Sequence, residues 1–323
     1  MISPGQGISA ILLDAGGVLI FPQPDFLLPP LREAGVSPDI AALERAHYWA
    51  MAVQDVAAVP PADGTWWREY LIGYVAACGV AEDRCGGLAA EVAEATRGRA
   101  WTHVGTGAAA GLRALAALGL PMGVVSNSDG TVQAELRRLG VCHAPDGRDA
   151  AAAGVRVGVV VDSAVAGVAK PDPAIFGLAL GALGVPASGA VLHVGDSLRY
   201  DVAGALAAGL RPVHLDPHGF CPAPDGHPHV RSLAELARIL SPALSARRLP
   251  SAADRLRACL TTARNTEPGE PCAGPRCTSR RCAKTQPTPV RPATACCCAP
   301  AISASSWPGT TRCCRSASGC GSR

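Results

Sequence analysis

The sequence predicts an α/β fold whose core is a doubly wound parallel sheet. Short apolar runs without polar alternation are typical of strands buried on both faces. They occur at residues 8–13, 122–125, 157–161, 190–194 and 212–215. Helical patterns lie between the runs, at residues 107–118, 130–139, 173–183, 201–208 and 233–239. An alternation of strands and helices is typical of a parallel sheet with helices on both faces.

A purely helical stretch interrupts this alternation after the first strand. Its helical patterns cover residues 25–34, 39–53, 66–78 and 88–97, and Pro, Gly and Asp separate them. The rings of Trp66, Trp67 and Tyr70 are expected to form the core of a small bundle. We therefore predict an α/β core from residues 1–22 and 106–245, with an all-helical cap domain at 23–105.

Residues 246–323 differ in composition from the rest of the chain. From residue 251 onward they contain 11 of the 29 basic residues, 3 of the 26 acidic residues and 10 of the 14 cysteines. They show no hydrophobic periodicity, so we predict a disordered tail. Its Arg, Pro, Ser and Cys excess suggests an out-of-frame reading of GC-rich DNA. The spacing of Cys272, Cys277 and Cys282 matches a zinc site only weakly.

The composition favours a cytoplasmic protein without nucleic-acid or membrane partners. The net charge is only +3, and no basic segment precedes the first apolar run. The uncharged stretch 173–195 contains Pro186 and five glycines, which argues against a membrane span. The oligomeric state stays open.

Acidic residues follow two of the predicted strands. Asp14 ends the first strand and enters a glycine turn, Asp196 ends the fourth, and Asp201 follows in the first turn of the next helix. Ligands bind at the carboxyl ends of strands in α/β sheets, and paired carboxylates suit a hard divalent cation.

Polar donors follow the second and third strands. Ser126 and Asn127 could hold an anionic oxygen, although such residues are equally typical of a helix N-cap. Lys170 precedes a helix that begins with proline, with Asp172 as a candidate cap. A lysine beside proline would ordinarily be a solvated loop residue, so neither feature alone identifies a site.

Taken in order, these features resemble the haloacid dehalogenase-like (HAD) hydrolase superfamily. The motifs are D-x-x-G-V-L from Asp14, a Ser at a strand end, K-P-D-P-x-I-F from Lys170, and G-D-x-x-x-x-D from Gly195. The resemblance covers about residues 8–236 and implies a Rossmann-like core. The helical stretch after the first motif is similar to the cap found in this superfamily.

The resemblance implies a phosphatase that acts on a small phosphorylated metabolite. Asp14 would be the nucleophile and form an aspartyl-phosphate. Mg²⁺ would be bound by Asp14, the Gly16 carbonyl and Asp196.

The same resemblance assigns the remaining motif residues. Asp201 would orient Lys170 or hold a metal-bound water. Ser126, the Asn127 backbone and Lys170 would bind the transferring oxygens. The cap would exclude water and select the substrate.

One position departs from the family pattern. Phosphatases of this superfamily usually carry a second Asp, the general acid and base, two residues after the nucleophile, where this chain has Gly16. Either the leaving group departs unaided, or another group or water supplies the proton, or the protein is slow or non-catalytic. The candidate replacements are Asp25, Glu33, His47, Asp55 and Asp129.

A haloacid dehalogenase is the less favoured alternative. That branch also lacks the second Asp, but its fourth motif resembles Ser-Asn-x-x-x-Asp and it needs no metal. This chain has Gly195-Asp196 followed by Asp201, and no aromatic residue at position 16. We therefore rank a phosphatase first.

The histidines have separate interpretations. We interpret His193 as a core residue of its strand. We interpret His214, His218, His227 and His229 as a polar surface loop, with metal binding there left open.

Overall fold

A six-stranded parallel sheet forms the centre of the molecule, in the order β10-β9-β8-β1-β4-β7. The computed structural model describes residues 7–56, 66–96, 101–145 and 153–245, so the predicted tail at 246–323 lies outside the described residues. The strands of this sheet are β1 (Ala10–Leu13), β4 (Met122–Ser126), β7 (Val159–Asp162), β8 (Val191–Gly195), β9 (Arg211–Leu215) and β10 (His229–Val230).

The predicted doubly wound sheet is confirmed, with the first strand at its centre. Strand β1 pairs in parallel with β4 on one side and β8 on the other. Its Ile11 and Leu13 belong to one apolar cluster, and its Ala10 and Leu12 belong to another. Because side chains alternate along a strand, the two clusters lie on opposite faces of the sheet. This is why the strand is apolar throughout.

Helices cover both faces. On the Ile11 face, leucines of α5 (Ala108–Ala116), α6 (Val132–Arg138) and α10 (Leu233–Ser245) fill the cluster. On the Ala10 face, α8 (Pro173–Leu183) and α9 (Ala203–Ala207) contribute Phe176 and Ala205, among others. Helix α8 begins as its sequence predicts, since the Asp172 carboxylate accepts a hydrogen bond from the Ala174 N–H at 2.9 Å.

Four helices lie between β1 and β4 in the chain, and we call them the helical insertion. They are α1 (Pro24–Glu33), α2 (Ile40–Val56), α3 (Trp66–Ala77) and α4 (Glu82–Ala95). They share an apolar cluster that contains Tyr70 fully buried and Trp67 partly buried, whereas the side chain of Trp66 lies outside the described residues. The insertion is connected to the sheet through an antiparallel pair, β2 (Ile20–Pro22) and β3 (Trp101–Val104).

Some boundaries differ from the predictions. Helix α4 begins at Glu82 rather than at residue 88, because the helix continues through Gly86 and Gly87. The strands β2, β3, β5 (Cys142–His143), β6 (Val155–Arg156) and β10 and the short helix α7 (Ser163–Ala166) were not predicted, since elements of two to four residues show no periodicity. A π-helical turn, Leu198–Val202, precedes α9. Among the described residues, no helix has both the length and the apolarity to cross a membrane.

Candidate active site

The polar motif residues meet at the carboxyl edge of the sheet, beside the central strand. After β4 and β7 the chain crosses β1 to form β8, so the strand order diverges on either side of β1. Such a switch point leaves a crevice beyond the strand ends. Asp14 directly follows β1, Ser126 ends β4, and Asp196 follows β8.

Lys170 lies between two carboxylates. Its Nζ is 2.9 Å from Asp14 Oδ1 and 2.7 Å from Asp201 Oδ1, and its side chain is only 1% exposed. Burial alone would lower the pKa of Lys170, but the two carboxylates outweigh burial and raise it. Lys170 is therefore a buried cation held between two carboxylates, and not the solvated loop residue that a lysine beside proline ordinarily is.

The two carboxylates bound to Lys170 have opposite pKa shifts. Burial raises the pKa of Asp14 to about 7, against the lowering effect of Lys170. Burial opposes ionisation of Asp201 as well, but Lys170 and the hydrogen bond from His193 together hold its pKa below the ordinary value. Of the two carboxylates bonded to Lys170, Asp201 is therefore the stronger acid and Asp14 the one more readily protonated.

Both oxygens of Asp201 accept hydrogen bonds. Oδ1 also lies 2.8 Å from His193 Nε2, and Oδ2 accepts from the backbone N–H of Ser197 at 3.2 Å. A Cβ on Gly195 would overlap the Asp201 carboxylate, so the glycine of the fourth motif makes room for it. The interpretation of His193 as a core residue is confirmed, since it is fully buried. Its bond to Asp201 was not predicted.

Asn127 fixes the segment that carries Lys170. Its side-chain amide donates to the Lys170 carbonyl at 3.0 Å, and its side-chain oxygen accepts from the Lys170 N–H at 2.8 Å. Both halves of the Asn127 amide are thus engaged, which leaves its backbone as the part available to a substrate oxygen. Ser126 is buried at the end of β4 and opposite Asp162 of β7.

Asp196 is bonded to the helical insertion. Its Oδ2 lies 2.7 Å from His47 Nε2, and His47 Nδ1 lies 2.9 Å from the Tyr70 hydroxyl. A carboxylate accepts, so Nε2 carries a proton and donates it to Asp196, while Nδ1 is the nitrogen that meets the Tyr70 hydroxyl. His47 is 1% exposed and contacts Trp101 edge-on, with ring centroids 5.5 Å apart.

The glycine turn after Asp14 is tightly enclosed. A Cβ on Gly16 would lie 3.3 Å from the ring of Trp101, so this tryptophan fills the space beside the missing side chain. Gly17 has φ +67°, and a Cβ there would overlap both Asp196 Oδ2 and His47 Nε2. The Tyr48 hydroxyl donates to the Gly17 carbonyl at 2.7 Å.

Three carboxylates converge in a way that could bind a cation. Asp14, Asp196 and Asp201 each offer an oxygen, and these oxygens all lie within 4.8 Å of one another. Carboxylate oxygens are the donors preferred by Mg²⁺ and other hard cations. The donor set therefore fits the predicted metal. Asp14 and Asp196 are better placed to bind it directly than Asp201, because they are bonded through one oxygen each, whereas both oxygens of Asp201 accept hydrogen bonds.

Of the five candidate replacements for the missing acid, His47 contacts a site carboxylate. Asp55 instead accepts from the backbone N–H groups of Leu198 and Arg199 and from the Ser197 hydroxyl, and so attaches α2 to the turn after β8. Asp129 accepts from Thr131 in an exposed turn. The other two candidates, Asp25 and Glu33, are exposed on α1.

Three residues around this site were not assigned a role there by the sequence. Trp101 and Tyr70 belong to the helical insertion and its connection, and no motif marks them as site residues. Asp162 ends β7, and its carboxylate accepts from the N–H groups of Gly130 and Ala164, which holds the loop after β4 in place. The one available signal was its position as an acid directly after a buried strand.

Part of the histidine interpretation is wrong. His214 is buried in β9 and His229 is half-buried in β10, so neither lies in a surface loop. The two are paired in register, and the His214 ring packs against the rings of His227 and His229. Its Nε2 lies 3.0 Å from the Asp196 carbonyl oxygen. The groups that can bind a metal on His214, Cys221, His227 and His229 lie within 4.8 Å of one another.

Parts of this chain are similar in sequence to a known protein family and to known proteins. A family model for the haloacid dehalogenase-like hydrolases matches residues 8–209. Haloacid dehalogenase-like hydrolase domain-containing protein 3 of Danio rerio is 41% identical over 100 residues, which are 31% of this chain and 36% of that protein. Phospholysine phosphohistidine inorganic pyrophosphate phosphatase of Rattus norvegicus is 40% identical over 65 residues, or 20% of this chain and 24% of that protein. The chain thus matches about a third or less of each relative's length.

Among solved structures, the putative HAD hydrolase YfnB of Bacillus subtilis, bound to magnesium, covers 72% of this chain and 99% of its own, at 17% identity and a TM-score of 0.45.

Proposed function

Because the chain belongs to the haloacid dehalogenase-like hydrolase family, we propose that it is a Mg²⁺-dependent phosphatase acting on a small phosphorylated metabolite. The observation that carries this proposal is the ion network in which Lys170 Nζ lies between Asp14 and Asp201, beside the carboxylate of Asp196. A fixed cation next to three carboxylates suits a reaction in which a dianionic group must approach an acidic nucleophile.

The metal would be bound by Asp14, Asp196 and the Gly16 carbonyl, with Asp201 near enough to hold a metal-bound water. A bound cation would reduce the repulsion between the Asp14 carboxylate and the phosphate of the substrate. The support for this assignment is the oxygen donor set and its spacing of at most 4.8 Å. Asp201 would act mainly through Lys170, because its own oxygens are engaged by Lys170, His193 and Ser197.

Asp14 would carry out the chemistry. An oxygen of its carboxylate attacks phosphorus, the bond from phosphorus to the leaving oxygen breaks, and an aspartyl-phosphate forms. Water then hydrolyses this acyl-phosphate and regenerates Asp14. The ammonium of Lys170 stabilises both the ionised nucleophile and the charge on the transferring oxygens. Ser126 and the backbone of Asn127 would bind the remaining phosphate oxygens.

The leaving group receives no help from position 16. General acid–base assistance is typically worth about 10²–10⁴-fold, and Gly16 supplies none. His47 is bonded to Asp196 and Tyr70 rather than free to deliver a proton. We therefore propose that the substrate carries a leaving group of low pKa, such as an aryl or acyl phosphate, and that simple alkyl phosphates are slow substrates.

Hydrolysis of p-nitrophenyl phosphate by the full chain tests this function. The proposal predicts turnover with Mg²⁺, loss of turnover with EDTA, and a loss of more than about 10³-fold in Asp14→Asn. Asp25→Asn is the matched control, because Asp25 is an exposed aspartate that accepts only from Gln23 among the described contacts. Halide release from a 2-haloacid that survives EDTA would instead identify a dehalogenase.

A trapped adduct tests the nucleophile and the metal site without requiring turnover. Beryllium fluoride with Mg²⁺ should form an acyl-phosphate mimic on Asp14, visible by ¹⁹F NMR and absent in Asp14→Asn. Such an adduct needs no acid at position 16, so it reports the nucleophile and the metal even if turnover is slow.

A second candidate function is phosphate or partner binding without turnover. The observation that favours it is the enclosure of the glycine turn, with Trp101 filling the space beside Gly16 and His47 bonded to Asp196. It predicts phosphate binding by calorimetry, no hydrolysis of p-nitrophenyl phosphate, and no adduct with beryllium fluoride.

A further inference from the structure

A second group of side chains that could bind a metal adjoins the backbone of Asp196 and is separate from the three carboxylates. It contains three imidazoles and one thiol, whose ligating atoms all lie within 4.8 Å of one another. They come from separate elements, namely His214 from β9, Cys221 and His227 from the following loop, and His229 from β10. We call this group the His₃Cys cluster. His218, in the same loop, packs on Tyr48 instead.

The hydrogen bond of His214 determines which of its nitrogens faces the cluster. Its Nε2 lies 3.0 Å from the Asp196 carbonyl oxygen, and a carbonyl can only accept, so Nε2 carries the proton. Nδ1 is therefore the His214 nitrogen that faces the cluster and could bind a metal. Histidines that bind metals commonly donate their other N–H to a carbonyl or carboxylate in this way.

The distances within the cluster suit tetrahedral coordination. His214 Nδ1 lies 3.0 Å from His227 Nε2, and Cys221 Sγ lies 3.7 Å from the same nitrogen. Metal–nitrogen bonds of about 2.0 Å and a metal–sulfur bond of about 2.3 Å place tetrahedral ligands about 3.3 Å (N to N) and 3.5 Å (N to S) apart. Shifts of a few tenths of an ångström would satisfy both.

One nitrogen of the cluster lacks a protein partner. His229 Nε2 is buried and makes no hydrogen bond among the described residues, and a buried polar atom without a partner is unfavourable. The His229 ring also packs closely on its neighbours, with centroids 4.4 Å from His227 and 5.1 Å from His214. Cys221 is a free thiol. Apolar packing alone does not account for three imidazoles and a thiol gathered in this way.

We propose that the His₃Cys cluster binds Zn²⁺. Imidazole and thiolate are the ligands this ion prefers, and four protein ligands make a closed, structural site. On binding, the Cys221 thiol loses its proton to solvent, and the proton in the hydrogen bond between His214 Nδ1 and His227 Nε2 moves through solvent to His227 Nδ1. The ion would tie the loop at 216–228 to the sheet edge formed by β9 and β10. Through the hydrogen bond from His214 to the Asp196 carbonyl, it would also support the segment that carries Asp196.

Metal content of the full chain tests this proposal. Protein stripped with a chelator and re-equilibrated with Zn²⁺ should hold one more equivalent in the wild type than in Cys221→Ser/His227→Gln. Cys78→Ser/His103→Gln is the matched control, because it removes one thiol and one imidazole outside the cluster and should keep the wild-type content. Comparison between variants of equal length also subtracts zinc bound by the ten cysteines after residue 250.

Cobalt identifies the ligands independently of how much zinc binds elsewhere. The Co²⁺ difference spectrum between wild type and Cys221→Ser should contain a thiolate charge-transfer band together with strong tetrahedral d–d bands. Circular dichroism of each variant establishes that it is folded. Equal zinc content in wild type and the double variant, or a cobalt difference spectrum without both sets of bands, would overturn the proposal.

Discussion

His47 Nε2 lies 2.7 Å from Asp196 Oδ2, which joins α2 of the helical insertion to the carboxyl edge of the sheet. The two residues are 149 positions apart in the chain. The bond engages one oxygen of a carboxylate that we assign to the metal. A cation that binds Asp196 Oδ2 would have to displace His47 from it, and this would couple the insertion to the proposed metal site.

Replacing His47 should strengthen cation binding. A hydrogen bond to a charged group contributes about 1.5–3 kcal/mol, so His47→Ala should lower the Kd for Mg²⁺ by about tenfold, measured by calorimetry. His103→Ala is the control, since the imidazole of His103 pairs with Glu44, at 3.6 Å, and not with Asp196. Weaker Mg²⁺ binding in His47→Ala would show that the imidazole supports Asp196 as a ligand rather than competing with the ion.

A side chain at position 16 should press on Trp101. Gly16→Ala places a Cβ about 3.3 Å from the indole ring, so the ring has to move by a few tenths of an ångström. We expect the variant to be about 1 kcal/mol less stable than Gly86→Ala. Gly86→Ala, inside α4 with no atom within 4 Å of its Cβ, should instead raise stability by about 0.5–1 kcal/mol. Urea unfolding measures both.

A double-mutant cycle with Trp101 identifies the cause of the Gly16→Ala effect. In a Trp101→Leu background, the cost of Gly16→Ala should largely disappear, since the crowded ring is gone. An unchanged cost in that background would mean that the backbone of the turn, and not Trp101, requires glycine.

Gly17 should be far less replaceable than another glycine of similar backbone conformation. Gly17 has φ +67° and Gly35 has φ +87°, so alanine at either costs about 1–2 kcal/mol for the backbone. A Cβ at Gly17 also overlaps Asp196 and His47, whereas one at Gly35 meets nothing within 4 Å. We expect Gly17→Ala to be at least about 2 kcal/mol less stable than Gly35→Ala and to lose Mg²⁺ binding. Equal losses in the two variants would refute the overlap.

Removing Lys170 should leave Asp201 buried without its counter-ion. Lys170→Met should therefore cost about 3 kcal/mol or more of unfolding free energy at pH 7 and abolish hydrolysis of p-nitrophenyl phosphate. Lys170→Met/Asp201→Asn should recover part of the stability, because the uncompensated charge is removed, but none of the activity. If the double variant is no more stable than Lys170→Met, the pair is not the source of the loss.

The sheet could be predicted because its central strands are buried on both faces. A run such as Ala10–Leu13 has to be apolar at every position, and no helix pattern of that length competes with it. Helix α4 shows where this reasoning fails. The pair Gly86 and Gly87 predicts a helix boundary, but the helix continues through both. A Cβ at either position would have no atom within 4 Å, so nothing there requires glycine. The burial of Cys85 and Leu88 in the insertion stabilises the helix on both sides of the pair.

The motif residues and the residues of the insertion differ in how far local sequence can place them. Asp14, Ser126 and Asp196 follow parallel strands, and the carboxyl ends of such strands share one edge, so their proximity follows from the fold class. His47, Tyr70 and Trp101 reach the same edge only through the packing of α2, α3 and β3. Sequence analysis placed His47 among the five candidate acids but could not show that it is bonded to Asp196.

The amino-acid sequence by itself determined the parallel α/β core, the family and the identity of the polar residues at the strand ends, because hydrophobic period and motif spacing are local properties. Tertiary structure decided which partners those residues have. It pairs Lys170 with Asp14 and Asp201, commits the Asn127 side chain to the Lys170 backbone, places His47 on Asp196 and gathers the His₃Cys cluster. Except within the cluster, whose members lie close together in the chain, each of these contacts joins distant segments. The free energy that selects them comes from burial and charge pairing that no single segment contains.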